Sequence, residues 1–411
     1  IVFVEPVDKL DNLMETYGFS DSSINYLKPS QFFIPGFIDT HIHAPQFPNN
    51  GLKLELPLLQ WLEKYTFPSE ARLSDVQFAK YLYPKVVDCL LRNGTTTASY
   101  FASLHLPATK VLADVAVAKG QRALVGKVSM LVNSPDNYKE SSLEDSIRDN
   151  EEFIEYVKSL QSPLVQPIVT PRFAPTCPTE QLNALGQLAK KYNCHVQTHL
   201  SETRPEISWV KELFPWSKSY TDVYDKSGLL SSKTIMSHCI WIDEVEVETL
   251  RACNVGVSHC PNSNISIRSG LCDVRRLLRK GIKVGLGTDC SGGYSPSILD
   301  SIRHAVQTSN TLAILNEGYK HLSLFEAFRL ATLGGAKVVD MDNCIGNFEI
   351  SKEFDALLID MEVPDTAVYI DENDTLEDRL QRYLLNGDDR HIVEVYVAGN
   401  KVHERSTTSK Y

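Results

Sequence analysis

The sequence predicts an α/β chain: a (β/α)8 barrel of the TIM type with a small β-sandwich domain formed from its N- and C-terminal segments. Three observations carry this expectation. Eight short runs rich in apolar and β-branched residues alternate with helical segments through the middle of the chain. These runs are apolar throughout, as strands buried on both faces must be. The two ends fall outside the alternation and hold strand-like runs of their own. Parallel strands need crossovers, which the intervening helices supply, and eight is the number that closes a barrel. A doubly wound open sheet has the same alternation.

The eight runs are GFIDTHI, GTTTASYF, RALVGKVSML, LVQPIVTPRF, HVQTHL, TIMSHC, NVGVSHC and IKVGLGTD. After the first comes VQFAKYLYPKVVDCLLRNG, with apolar residues at helical spacing and a stop at Gly94. PATKVLADVAVAKG opens on Pro107 and stops at Gly120. PTEQLNALGQLAKKYN is expected to start from a Thr179 cap, and LSLFEAFRLATLGGAKVV follows the last strand. At the ends, IVFVE, QFFIP and FDALLIDM read as strands, and IVEVYVAGNKV as two strands around a tight turn. NGDDRH reads as a turn, and HERSTTSKY as a disordered tail. Residues 1–34 and 345–411 are thus assigned to the small β-domain and 35–344 to the barrel.

Composition narrows the partners. A chain of 411 residues, 43% hydrophobic and 23% charged, has a core that needs no disulfide staples. Its nine cysteines are scattered without a CxxC pair, which points to a reducing compartment, the cytoplasm. The same absence sets aside the zinc deaminase fold built on PCxxC. No run of about 18 apolar residues is present to span a membrane. A net charge of −11 argues against nucleic acid and leaves a small neutral ligand as the better partner.

In a barrel the active site lies at the C-terminal ends of the strands. There the first strand carries His41 and His43, the fifth His199, the sixth His238, the seventh His259 and the eighth Asp289. Five of the eleven histidines sit at these ends. Residues i and i+2 of a strand point the same way, so His41 and His43 aim at one point. Alone, an HxH pair is also an ordinary solvated strand end, His199 a packed histidine and Asp289 a helix cap. Jointly, three histidines and a carboxylate with room for water describe a catalytic metal site. Glu202, three residues past His199, could take a proton from the water and pass it to a ring nitrogen. Its bland alternative is a solvated acid in a first helical turn. Asp289 could accept from the same water, and His238 could polarise the attacked group.

PGFIDTHIH, THLSE, HCPNSN, GLGTD and RLATLGGAK together resemble the amidohydrolase superfamily. With HIHAPQF, LPLLQWLEKYTFPSE, LRNGTTTASYF, IVTPRF and EFDALLID, the chain is similar to the guanine deaminase family of animal and fungal type. That resemblance implies one zinc per chain held by His41, His43, His199 and Asp289. It implies Glu202 as proton shuttle, assisted by His238 and Asp289, with attack by a metal-bound hydroxide. Two-metal barrels of this type carry a lysine at the end of strand four, where this chain has Arg172. Gln46, Arg172 and Phe173 would hold the purine, with His199 and His238 also against it. The implied reaction converts guanine and water to xanthine and ammonia, in purine catabolism and salvage, by a cytoplasmic homodimer. The family also carries further strands ahead of this chain's first residue. Iron accepts the same donors as zinc.

The residue chemistry agrees. Guanine presents O6 and N7 as adjacent acceptors that match arginine's fork. Gln46 has donors and an acceptor, and Phe173 a face for stacking. Each has a plainer reading: Arg172 as a rim ion-pair partner, Gln46 as a polar loop residue, Phe173 as core. Trp61 and Phe67 are placed over the site, while His259 and Asn262 are expected to fix the loop after strand seven. Two other functions fit parts of the pattern. One is a deaminase or halide-releasing hydrolase for another heterocycle such as cytosine, adenine or a triazine. The other is a non-enzymatic scaffold barrel, which would have lost ligands that this chain keeps.

Overall fold

The computed structural model describes residues 1–405. Eight parallel strands form the barrel: Phe37–His43, Thr95–Phe101, Arg122–Gly126, Val165–Pro171, His195–Leu200, Thr234–His238, Gly256–His259 and Lys283–Leu286. They pair in sequence order, and a two-residue extension, Val128–Ser129, adds to the edge of the fourth. Two backbone hydrogen bonds join the last turn of the ring: Asp289 N–H donates to the His41 carbonyl (2.9 Å) and His43 N–H to the Cys290 carbonyl (3.1 Å). They set the ends of the first and eighth strands level with each other. Every residue of the first two strands is buried, as expected of strands covered on both faces.

The crossovers are the helices expected from the apolar spacing. Val76–Arg92 starts at Asp75, whose carboxylate accepts from Gln77 N–H. Leu106–Lys119 ends at Gly120, whose φ of 67° is the left-handed cap that glycine adopts without cost. Leu143–Ser159, Thr179–Tyr192, Arg204–Leu213 and Glu244–Ala252 cover further faces, and Ile298–Leu315 follows the last strand. The Thr179 cap does not form. Thr179 is the first helical residue, Pro178 stands at the cap, and no side chain caps that end.

The two ends of the chain meet in a four-stranded antiparallel sheet. Its order is Gln31–Pro35, Ala356–Asp360, Ile392–Val397, Asn400–Glu404. The last two strands are joined by a turn at Ala398 and Gly399, both at positive φ, the AGN turn expected from sequence. IVFVE is not a strand. Val2 and Val4 are exposed; Ser351 N–H donates to the Ile1 carbonyl and the terminal amine to the Lys352 carbonyl, while Phe3 packs on Tyr17 and Phe19. Leu10–Tyr17, unforeseen, is a helix. NGDDRH ends in a short 3-10 turn, Asp389–His391, capped by Asp388. HERSTTSKY begins inside the last strand, and its residues 406–411 lie outside the described part. All nine cysteines are unpaired. Among the described residues no helix is long and apolar enough to cross a membrane.

One buried group outside the barrel mouth makes stability depend on pH. His195 Nε2–H donates to the Val339 carbonyl (3.0 Å), and burial lowers the ring's pKa to about 4. In the unfolded chain it titrates near 6.5. The stabilising difference is present above pH 6.5 and is lost as pH falls toward 4, roughly 3 kcal/mol in all. His195→Gln keeps a donor for Val339 without the titration. Between pH 7 and 4.5 it should lose less stability than the wild type in urea unfolding; equal losses would refute this assignment.

Candidate active site

The strand ends bring the expected residues together. His41 Nε2 lies 3.0 Å from Asp289 Oδ1, and His43 Nε2 lies 3.4 Å from the same oxygen. His43 Nε2 is 3.2 Å from His199 Nε2. A tetrahedral ion with bonds of about 2.0–2.1 Å separates its ligands by about 3.4 Å, so these spacings fit one ion. His41, His199, His238 and Asp289 also offer donor atoms that all lie within 4.8 Å of one another. His238 Nε2 lies 3.8 Å from Asp289 Oδ2 and 3.6 Å from Glu202 Oε2.

The chemistry of the donors fits a cation as well. Burial lowers the pKa of His41, His43 and His199, keeping them neutral, the form that binds a metal. Burial opposes ionisation of Asp289, but the surrounding histidines outweigh it and hold the carboxyl far below its usual range. The outer ring nitrogens are held by the protein. His199 Nδ1–H donates to the Arg172 carbonyl (2.6 Å), and Ser237 Oγ is 2.8 Å from His41 Nδ1. Such contacts leave Nε2 free to face inward. Asp39, buried beneath the site, accepts from the His41 and Thr288 N–H groups and from Thr288 Oγ1. It braces the first strand against the eighth.

The local backbone is held in uncommon conformations. Asp289, His238 and Ser201 all adopt positive φ (45°, 71° and 49°), rare for residues with a β-carbon and found where a site holds them in place. Gly287 allows a close approach: a β-carbon there would sit 2.6 Å from Ser258 Oγ and 2.9 Å from the Cβ of His41.

Glu202 is buried beside His238. Ser269 Oγ donates to its Oε1 (2.8 Å), leaving Oε2 toward His238. Burial pushes its carboxyl up to about 7. His238 Nδ1–H donates to Asn264 Oδ1 (2.8 Å), and its Nε2 has no protein partner among the described residues. Burial works against a charged His238 ring, but Glu202 and Asp289 outweigh it and raise its pKa.

His43, His199, His238, Asp289 and Glu202 line one pocket. Gln46, Arg172, Phe173, Leu62 and Trp61 line it too. Trp61 therefore does face the site. Phe67 does not; it lies under the Arg172 guanidinium, 5.0 Å from ring centre to carbon. Arg172 combines both readings offered for it, standing on the pocket wall while its NH1 pairs with buried Glu70 (2.6 Å). Gln46 Nε2 donates to Glu70 Oε1 (2.8 Å). Sequence reasoning missed Glu70; its place in TFPSE, beside Trp61 and Phe67 in the chain, was the one signal. Asn262 fixes its loop by accepting from Ser266 Oγ and Tyr294 N–H. His259 plays no such part, since both its ring nitrogens lack partners among the described residues.

Comparison with known proteins places the chain in a family. Residues 32–402 match the amidohydrolase family. The guanine deaminase of Dictyostelium discoideum is 48% identical over 91% of this chain and 83% of its own. That of Mus musculus is 45% identical over 98% of this chain and 89% of its own. A crystal structure of guanine deaminase from C. acetobutylicum with guanine bound in its active site superposes with a TM-score of 0.86. It is 40% identical and covers 91% of this chain and 87% of that one. The chain belongs to the amidohydrolase family, and within it to the guanine deaminases.

Proposed function

We propose that this chain hydrolyses guanine to xanthine and ammonia, using one zinc ion held by His41, His43, His199 and Asp289. The observation that carries the reading is the pocket itself. His43, His199, Asp289 and Glu202 line the same pocket as Gln46, Arg172 and Phe173, and His41 stands behind them 3.0 Å from Asp289. When bound, zinc supplies water acidified to a pKa of about 7.

The side chains manage the rest. Arg172 and Gln46 hold the purine edge by hydrogen bonds, and Phe173 stacks on its plane. Glu202 takes a proton from the attacking water and delivers it to the purine ring nitrogen. A carboxyl raised toward neutrality suits both directions of transfer. His238, its ring fixed by Asn264, steadies the attacking oxygen between Glu202 and Asp289. The new carbon–oxygen bond makes the attacked carbon tetrahedral, and its bond to the exocyclic amine breaks afterwards, once that amine is protonated. Glu202, emptied by its transfer to the ring nitrogen, takes the second proton from the new hydroxyl and passes it to the exocyclic amine, which leaves as ammonia. The unpaired cysteines support a cytoplasmic setting in purine catabolism and salvage. The family resemblance supports a homodimer.

Metal analysis paired with ammonia release from a panel of bases tests this reading. One zinc per chain and fastest turnover of guanine are expected. Far faster turnover of adenine, cytosine or a triazine would overturn the substrate, and intact protein with almost no metal would overturn the enzyme. Iron in place of zinc would correct the ion alone.

A further inference from the structure

Glu70 lies on a short helix, Phe67–Ala71, in the excursion after the first strand, and it is completely buried. A carboxylate so placed needs partners. It has three. Gln46 Nε2 donates to Oε1 at 2.8 Å, while Arg172 NH1 and the Tyr138 hydroxyl donate to Oε2 at 2.6 and 2.7 Å. Two of the three are the polar groups on the purine wall of the pocket.

An ionised carboxylate accepts hydrogen bonds and never donates them. That fixes the Gln46 amide one way round: its NH2 must face Glu70, and its carbonyl oxygen is left for the pocket. Arg172 is pinned at NH1 and laid over the Phe67 ring. Its other guanidinium nitrogens have no hydrogen-bond partner among the described residues. The wall thus carries one fixed acceptor beside one fixed donor. Guanine offers the complement, acceptors at O6 and N7 and donors on its ring N–H and amine. Adenine has an acceptor where guanine has its ring N–H, and would set lone pair against lone pair.

Building on the guanine reading, we infer that Glu70 is a positioning residue for purine recognition, holding Gln46 as acceptor and Arg172 as donor. The helix that bears it is fastened to the Gln46 loop by a second link, Ser69 Oγ to the Pro45 carbonyl (3.4 Å). Glu70 touches neither the metal donors nor Glu202, so its loss should act on substrate binding.

Steady-state kinetics on the zinc-loaded enzyme test this. Glu70→Gln should raise KM for guanine about 10- to 100-fold, as loss of charge-assisted hydrogen bonds does, with kcat within about threefold and metal content unchanged. The double variant Gln46→Glu with Glu70→Gln exchanges the two groups. The amide moved to position 70 can donate to the carboxylate moved to position 46. The second oxygen of that carboxylate again presents an acceptor to the pocket, and KM should return to within about fivefold of wild type. A purely structural role would not be rescued by that exchange. Unchanged KM in the single variant, or a folded double variant as impaired as the single one, overturns the inference. Should Glu70→Gln fail to fold, Tyr138→Phe removes one anchor of the carboxylate. A KM about threefold higher with kcat held supports the role, and an unchanged KM overturns it. Wild-type protein inactive on guanine sinks the deaminase reading together with this one. Active wild type with an indifferent Glu70→Gln sinks this one alone.

Discussion

Glu202→Gln is expected to keep its metal and to release ammonia from guanine at least about a hundredfold more slowly. Glutamine has nearly the same shape as glutamate, and its carbonyl oxygen can still accept from Ser269 Oγ. The Glu202 backbone N–H would keep its bond to Glu206 Oε2 (2.9 Å). Position is therefore preserved while the amide loses the ability to carry a proton. A hundredfold loss corresponds to about 2.7 kcal/mol of transition-state stabilisation. Equal zinc content in the two proteins, measured on the samples used for kinetics, separates this effect from loss of the ion. Wild-type turnover in the variant would remove Glu202 from the proton path.

His199→Ala is expected to lose the ion and with it all activity above background. The ring lies 3.2 Å from His43 Nε2, is fixed from behind by the Arg172 carbonyl, and packs on Phe101 (4.9 Å between centres). Its removal leaves three of the four proposed donors and a void beside them. Zinc should raise the melting temperature of metal-free wild type, because an ion that binds only the folded state stabilises it. It should leave that of His199→Ala unmoved. Full zinc occupancy in the variant would contradict the ligand set.

Much of this site was legible because barrels place function at strand ends. HxH on the first strand and Asp289 on the eighth are far apart in the chain, yet the parallel repeat sets both at one rim. Glu202 followed from its distance to His199. Glu70 was not legible in the same way. It lies in a long excursion without strand or helix periodicity, and its meaning rests on meeting Gln46, 24 residues away, and Arg172, 102 away. Burial of a carboxylate cannot be read from its neighbours in TFPSE. The other misreadings were local rules applied without tertiary context. IVFVE has strand propensity but joins no sheet, and Thr179 was displaced from the cap when Pro178 took that position.

The junction of first and eighth strands has a consequence for how the protein matures. The two hydrogen bonds there join parts of the chain separated by 248 positions, His41 to Asp289, and by nearly as many at His43 and Cys290. A polypeptide emerging from the ribosome exposes its HxH pair long before its aspartate exists. Such distant contacts form late, after the entropy of closing a long loop has been met. An ion captured early would find imidazoles without the carboxylate and without walls to exclude water. On the proposed ligand set, tight metal capture would follow the meeting of the first and eighth strands, and chains truncated before residue 289 would compete poorly for zinc.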